Sequence, residues 1–373
     1  MQTQNEQEAD NDREGSGEVL FQRDRAVLQI LLNRPDALNA LNDAITSAIS
    51  AAIPNLARDP ELYAVVISST RPNAFCIGTD LAALMQSAQN NIDDARTWLA
   101  QEYAFEWLLD CFSKPTIAMI EGAVMGAGAG LTHFCTHRVA AETYKFATPQ
   151  TAFGFFPDAG MARVLAGLPH YTGFYLALTG RTIGRSDAYA LGLATHCIAS
   201  AQFNEIVNEL ADAQPIDPLL DDRHRDPGTG TLAAHYDCIS ETFSAPDIEE
   251  LILRLENIRA DYHAPEWIDN VIIDLKRRSP TALAVTQRHL QRAHRLDLRE
   301  NLIADYALAA HFLHCKDFYE GVRSMLVDRD EQPQWVPSAQ SQVSHDTIEH
   351  FLSVTDENRL ELASRDEMQA ARV

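Results

Sequence analysis

Two stretches constrain the fold of this chain more than any others: Tyr63-Ala64-Val65-Val66-Ile67-Ser68 and Thr116-Ile117-Ala118-Met119-Ile120. Each is a nearly unbroken apolar run of strand length, without the polar alternation of a half-exposed strand. Such a strand is covered on both faces, as in a parallel sheet flanked by helices. A third run, 26–32, stops at the turn formers Asn33-Arg34-Pro35-Asp36. Helical spacing follows at 42–56, with Asn42 as its cap, and again at 94–111. Val139-Ala140-Ala141 reads as a further short strand. Strands alternating with helices predict an α/β core whose loops carry function.

Past Leu176 the pattern changes, and no further strands are expected. The segment 212–231, rich in Pro, Asp and Gly, reads as a loop or linker. Helical periodicity returns at 248–258, 281–293 and 298–314. The expected organisation is a disordered acidic tail over 1–17, the α/β core over 18–211, the loop over 212–231, a helical region over 232–337 and a partly helical C-terminal tail over 338–373.

The net charge of −23 argues against nucleic-acid and membrane-surface partners, because phosphates would be repelled. No apolar run approaches bilayer length. The N-terminus, MQTQNEQEADNDREGSGE, has neither a signal peptide's apolar stretch nor an Arg-rich presequence's composition, so a cytoplasmic protein is expected. Six scattered cysteines without a CxxC pair read as reduced core residues. His133 and His137 stand at helical i,i+4 spacing, but with no third ligand in register no metal is expected; the plain reading is a helix crossing from core to surface.

Two loops could carry chemistry: Phe75-Cys76-Ile77-Gly78-Thr79-Asp80 and Gly122-Ala123-Val124-Met125-Gly126-Ala127-Gly128-Ala129-Gly130, each following a buried strand. Small residues allow a ligand to approach the backbone, and a glycine run opening a helix presents free N–H groups. On adjacent strands the two loops could offer one N–H each to a single carbonyl oxygen, an oxyanion hole. Close packing is the competing reading for either loop alone. A dinucleotide turn is disfavoured because the spacing is not GxGxxG.

Asn33-Arg34-Pro35 with Leu38-Asn39-Ala40-Leu41, the 75–80 loop, and Met125-Gly126-Ala127-Gly128-Ala129-Gly130-Leu131 together resemble the enoyl-CoA hydratase/isomerase (crotonase) superfamily. Phe155-Phe156-Pro157-Asp158, Asp317-Phe318-Tyr319-Glu320-Gly321-Val322-Arg323, Asp328-Arg329-Asp330 and Pro333-Gln334-Trp335 are similar to its 3-hydroxyisobutyryl-CoA hydrolase branch. The resemblance spans 18 to about 337. It implies a ββα spiral core with a helical C-terminal region, a homo-oligomer, and a place in valine breakdown. The implied ligand is an acyl-CoA thioester, with coenzyme A part of the substrate and no separate cofactor. The thioester oxygen would be held by the backbone N–H groups of Ile77 and Ala127, where Ile77 is bulkier than the small residue the family prefers.

The hydrolase branch also implies three carboxylates. Their positions here are Glu102 (beside Tyr103), Gln150 and Asp158, so the family's principal acid–base residue is an amide in this chain. Gln150 can orient water but cannot accept its proton. Asp158, among Phe155, Phe156 and Pro157, is set for a raised pKa and proton transfer, with Glu102 as the other candidate. Without the resemblance, Asp158 reads as a helix N-cap and Glu102 as a solvated helix face. The leading expectation is hydrolysis of a short 3-hydroxyacyl-CoA thioester, with Glu102, Ala127, Gln150 and Asp158 contacting substrate. The alternatives are an isomerase using Asp158 as base and a catalytically impaired acyl-CoA binder. Hydration is disfavoured because the two glutamates it uses fall at Gly130 and Gln150. Lys276-Arg277-Arg278, Arg323 and Arg163 are candidates for the CoA phosphates or for structural ion pairs.

Overall fold

The structure, a computed structural model, describes residues 13–14 and 17–373. Most of the acidic tail expected over 1–17 therefore lies outside the described residues. A seven-stranded sheet has the order β1 (Arg13–Glu14), β2 (Val19–Asp24), β3 (Val27–Leu32), β4 (Ala64–Ser69), β6 (Thr116–Ile120), β8 (His137–Ala140), β11 (His196–Cys197). A smaller four-stranded sheet has the order β10 (Ile183–Gly184), β9 (Lys145–Ala147), β7 (Ala123–Met125), β5 (Ala74–Cys76). Each turn of the chain lays one strand in each sheet and then a helical segment. β4 and β5 precede the helices Leu81–Asn90 and Ile92–Cys111. β6 and β7 precede Ala127–His133, and β8 and β9 precede the 3-10 turn Gln150–Phe153. β3, β4, β6, β8 and β11 run parallel, as do β5, β7 and β9. This is the ββα spiral expected.

The apolar runs are explained by burial on both faces. Alternate residues Ala64, Val66, Ile117, Met119 and Val139 pack with Ile206, Val207, Leu210, Ile216, Leu219 and Leu220 on one side of the large sheet. Val65, Ile67, Ala118 and Ile120 belong to the main core on the other side.

Strands do not stop at Leu176, because β10 and β11 follow as two-residue edge strands too short to leave a pattern. The 212–231 loop contains the helix Ile216–Asp221, which covers the large sheet's second face. His133 and His137 do not share a helix: the helix ends at His133, and His137 opens β8 with its Nε2 2.9 Å from Asp217. Among the described residues no helix is long and apolar enough to cross a membrane.

The C-terminal helices Pro280–Ala293, Leu298–Phe312 and Lys316–Val322 close over the loop that carries Asp158. Phe156 stacks on Phe312 at 5.4 Å, and Phe155 lies 5.5 Å from Phe318. Asp305, fully buried, accepts the Gly160 N–H at 2.8 Å and meets His289 Nε2 at 2.6 Å. Removing this acceptor leaves two buried groups unpaired, so Asp305→Ala is expected to lose on the order of 2–4 kcal/mol in urea unfolding. Asp305→Asn, which keeps an acceptor, should lose less.

Candidate active site

β5 and β7 are parallel neighbours, so the loops leaving Cys76 and Met125 emerge side by side. They meet at Gly78, whose φ is +89°. A Cβ there would stand 2.8 Å from the Met125 carbonyl oxygen and 2.9 Å from the Ala127 nitrogen, contacts only glycine avoids. Ile77 and Ala127 are thereby brought to one place, and neither N–H is taken up by a turn or side-chain acceptor among the described residues. The sequence expected each loop directly after a long strand; instead the short strands β5 and β7 intervene, and it is these that align the loops.

The Asn33–Leu41 stretch holds the first loop from behind. Buried Asn39 donates to the Ala74 and Phe75 carbonyls at 3.3 and 3.0 Å and accepts the Arg34 N–H at 2.8 Å. Leu41 donates to the Gly78 carbonyl at 2.8 Å, and Asp80 donates back to Leu41 at 2.9 Å.

The three acid-site positions converge on the same region. Asp158 is 3% exposed, and its Oδ2 accepts the Tyr103 hydroxyl at 2.7 Å. Gln150 Nε2 donates to Asp158 Oδ1 at 3.3 Å, which leaves Gln150 Oε1 without a partner. That amide nitrogen is also 3.1 Å from where a Cβ on Gly126 would be, next to Ala127. Glu102 is fully buried, with Thr79 Oγ1 donating to its Oε1 at 2.6 Å and Oε2 free. Asp158 is therefore not a helix N-cap. The following helix starts at Met161 behind Gly160 and takes only the main-chain oxygen of Asp158. Nor does Glu102 lie on a solvated face.

Burial, reinforced by Asp158, pushes the Glu102 carboxyl up to about 8 against the Thr79 hydrogen bond. Burial pushes Asp158 up to about 7, with the Tyr103 hydroxyl pulling the other way and Asp305 adding to the rise. The sequence reading did not single out Glu106, one turn beyond Glu102 on the helix Ile92–Cys111. It is fully buried, has no partner for either carboxyl oxygen, and is held well above the usual carboxylate range by burial, then by Glu102 and Asp158. Its i,i+4 spacing from Glu102 in an otherwise apolar stretch was the available signal.

Among the basic candidates, Lys276, Arg277 and Arg278 line a cavity together with Ala152 of the Gln150–Phe153 turn. Arg323 is bound to Glu320, Asp328 and Asp330, Arg163 donates to the Leu296 carbonyl, and Arg278 to the Thr179 carbonyl. The six cysteines are free thiols.

Residues 27–352 match the enoyl-CoA hydratase/isomerase family. The chain belongs to that family. It is 33% identical to the mitochondrial 3-hydroxyisobutyryl-CoA hydrolase of Xenopus tropicalis over 93% of this chain and 91% of that one. It is 32% identical to 3-hydroxyisobutyryl-CoA hydrolase 1 of Arabidopsis thaliana, over 95% and 96%. Among solved structures it resembles an enoyl-CoA hydratase from Rhodobacter sphaeroides 2.4.1, at 30% identity and TM-score 0.85, over 92% of this chain and 100% of that one. A carnitinyl-CoA dehydratase from Mycobacterium thermoresistibile matches at 27% identity and TM-score 0.86, over 93% and 99%. The spiral core and helical C-terminal region are thus those of the crotonase fold.

The raised carboxyls make stability depend on pH in a definite direction. The folded state holds protons that the unfolded chain has already released, so their contribution is complete below about pH 4 and is lost as pH rises through about 7 to 8. Urea unfolding should show the protein less stable at pH 8 than at pH 5. Glu102→Gln, which keeps the acceptor for Thr79, should flatten that slope.

Proposed function

We propose that this chain hydrolyses the thioester of a short 3-hydroxyacyl-CoA. The observation that carries the reading is a buried aspartate bonded to Gln150, whose amide lies against the loop turn that presents Ala127. The sequence relationship to 3-hydroxyisobutyryl-CoA hydrolases over nearly the whole chain supports the same substrate class.

In this reading the thioester oxygen sits between the N–H groups of Ile77 and Ala127, which stabilise the negative charge that builds on it. Gln150 Oε1, without a partner in the protein, accepts a hydrogen bond from water and holds it beside Asp158. Asp158 takes the water's proton while the water oxygen bonds to the carbonyl carbon. The tetrahedral intermediate then collapses, the C–S bond breaks with its electron pair on sulfur, and Asp158 returns the proton to the thiolate. The products are the carboxylic acid and free coenzyme A. A base whose pKa lies near 7 suits both halves of that exchange. The amide at 150 thus positions water, and the proton chemistry moves to Asp158.

Thiol release from 3-hydroxyisobutyryl-CoA tests the reading. Wild type should release thiol, with kcat/KM rising as pH passes about 7 and Asp158 ionises. Asp158→Asn should lose about 10²-fold or more. Gln150→Glu should give a modest increase. Hydrolysis that appears only in Gln150→Glu would instead mark an acyl-CoA binder. An absorbance change of the acyl group without free thiol would mark an isomerase. Wild type and Asp158→Asn equally inactive would overturn the hydrolase.

A further inference from the structure

We propose that Glu106, together with Glu102, reads the hydroxyl of a 3-hydroxyacyl group, and that the preference for hydroxylated over plain acyl thioesters is set there. This rests on reading the chain as an acyl-CoA hydrolase.

The buried acids of the chain differ sharply in how they are paired. Asp305 is bonded to Gly160 and His289, Asp317 to Ser279 and the Val336 N–H, and Asp187 to Thr231 and the Leu232 N–H. Asp158 has Tyr103 and Gln150. Glu106 has no partner on either oxygen, and Glu102 has none on Oε2. The Trp98 indole, one turn before Glu102, acts on the Glu102 carboxyl, which leaves the two oxygens of Glu106 as the fully buried pair without a protein partner, and such oxygens are costly unless something bonds to them.

Their position says which part of a substrate would meet them. Glu106 Oε1 lies 3.3 Å from where a Cβ on Gly130 would stand. Gly130 is one turn into the helix that begins at Ala127, so the carboxyl lies deeper than the amide assigned to the thioester oxygen. No side chain fits at position 130 itself, because the Ala159 carbonyl oxygen would be 2.8 Å from the same Cβ. The polar group therefore arrives from the facing helix, at position 106. In the proposed pose, with the carbonyl held at Ala127, the far carbons of the acyl chain run along the helix Ala127–His133 towards this pair.

A hydroxyl fits the pair chemically because it both donates and accepts. Two adjacent buried carboxyls cannot both ionise readily, so one keeps its proton and donates while the other accepts. An acyl group lacking the hydroxyl would leave these groups unpaired, the situation in which a site built for a hydroxyl rejects its deoxy analogue strongly.

The test is the ratio of kcat/KM for 3-hydroxyisobutyryl-CoA to that for isobutyryl-CoA. Wild type should favour the hydroxylated thioester at least about tenfold. Glu106→Leu should collapse that ratio by about tenfold or more, whereas Glu106→Gln, which still donates and accepts, should retain most of it. Glu106→Met serves as the second apolar variant should leucine not fold. General loss of structure lowers both substrates and leaves the ratio unchanged. Calorimetric binding of the same two thioesters reads the preference even without turnover, which separates this proposal from the hydrolase reading. A wild type with no preference, or a ratio unmoved in an apolar variant that keeps the wild-type unfolding midpoint in urea, overturns it.

Discussion

The site depends on one close approach of backbone to backbone. Gly78 lies against Met125 and Ala127 at distances that exclude any side chain, and this sets the Ile77 and Ala127 amides beside each other. The approach is a consequence of the ββα spiral. Successive turns lay β5 and β7 parallel and adjacent, so the loops leaving them have nowhere to diverge. Asn39 and Leu41 then fix the first loop from behind through main-chain bonds. A main-chain donor does not depend on side-chain identity, so the bulk of Ile77 does not remove its N–H.

The second requirement is burial of acids, and the helical C-terminal region makes it possible. The loop bearing Asp158 would be an exposed turn without the Phe312 and Phe318 rings against Phe155 and Phe156, and without Asp305 holding Gly160. Packed this way, Asp158 loses its water, and its affinity for protons rises into the range where it can exchange them near neutral pH. The same burial opposes folding at higher pH, because the ionised carboxylate is then held away from water. Residues more than 140 positions apart in sequence, such as Gly160 and Asp305, therefore act on one carboxyl.

Elements with a strong repeating pattern were legible in the sequence. Thr116–Ile120 and Ile248–Ile258 fall at the bounds their apolar spacing predicts, and Asn42 caps its helix through the Ile45 N–H. The second sheet was not legible, because β5, β7, β9 and β10 are two or three residues long and pair only through partners distant in the chain. The break between His133 and His137 was hidden for a related reason: i,i+4 spacing survives in a sequence even where a turn separates the two residues. At the site, the resemblance located Glu102, Gln150 and Asp158, but their partners Tyr103 and Thr79 needed coordinates. Glu106 stayed hidden because two glutamates four apart on a helix normally mark a solvated face, and the apolar Tyr103-Ala104-Phe105 between them was the contrary sign.

The amide at position 150 changes what kind of site this is. A glutamate there would add another carboxylate beside Asp158, Glu102 and Glu106, and mutual repulsion would push one of them out of its charged form. An amide removes that repulsion and donates to Asp158, which favours ionisation of the aspartate. It also keeps an acceptor oxygen for water. The neutral amide at 150 and the buried acid at 106 thus bear on the same electrostatic balance. A buried pocket tolerates only so many negative charges, and an acid on the far wall is easier to accommodate when the near wall carries a neutral donor.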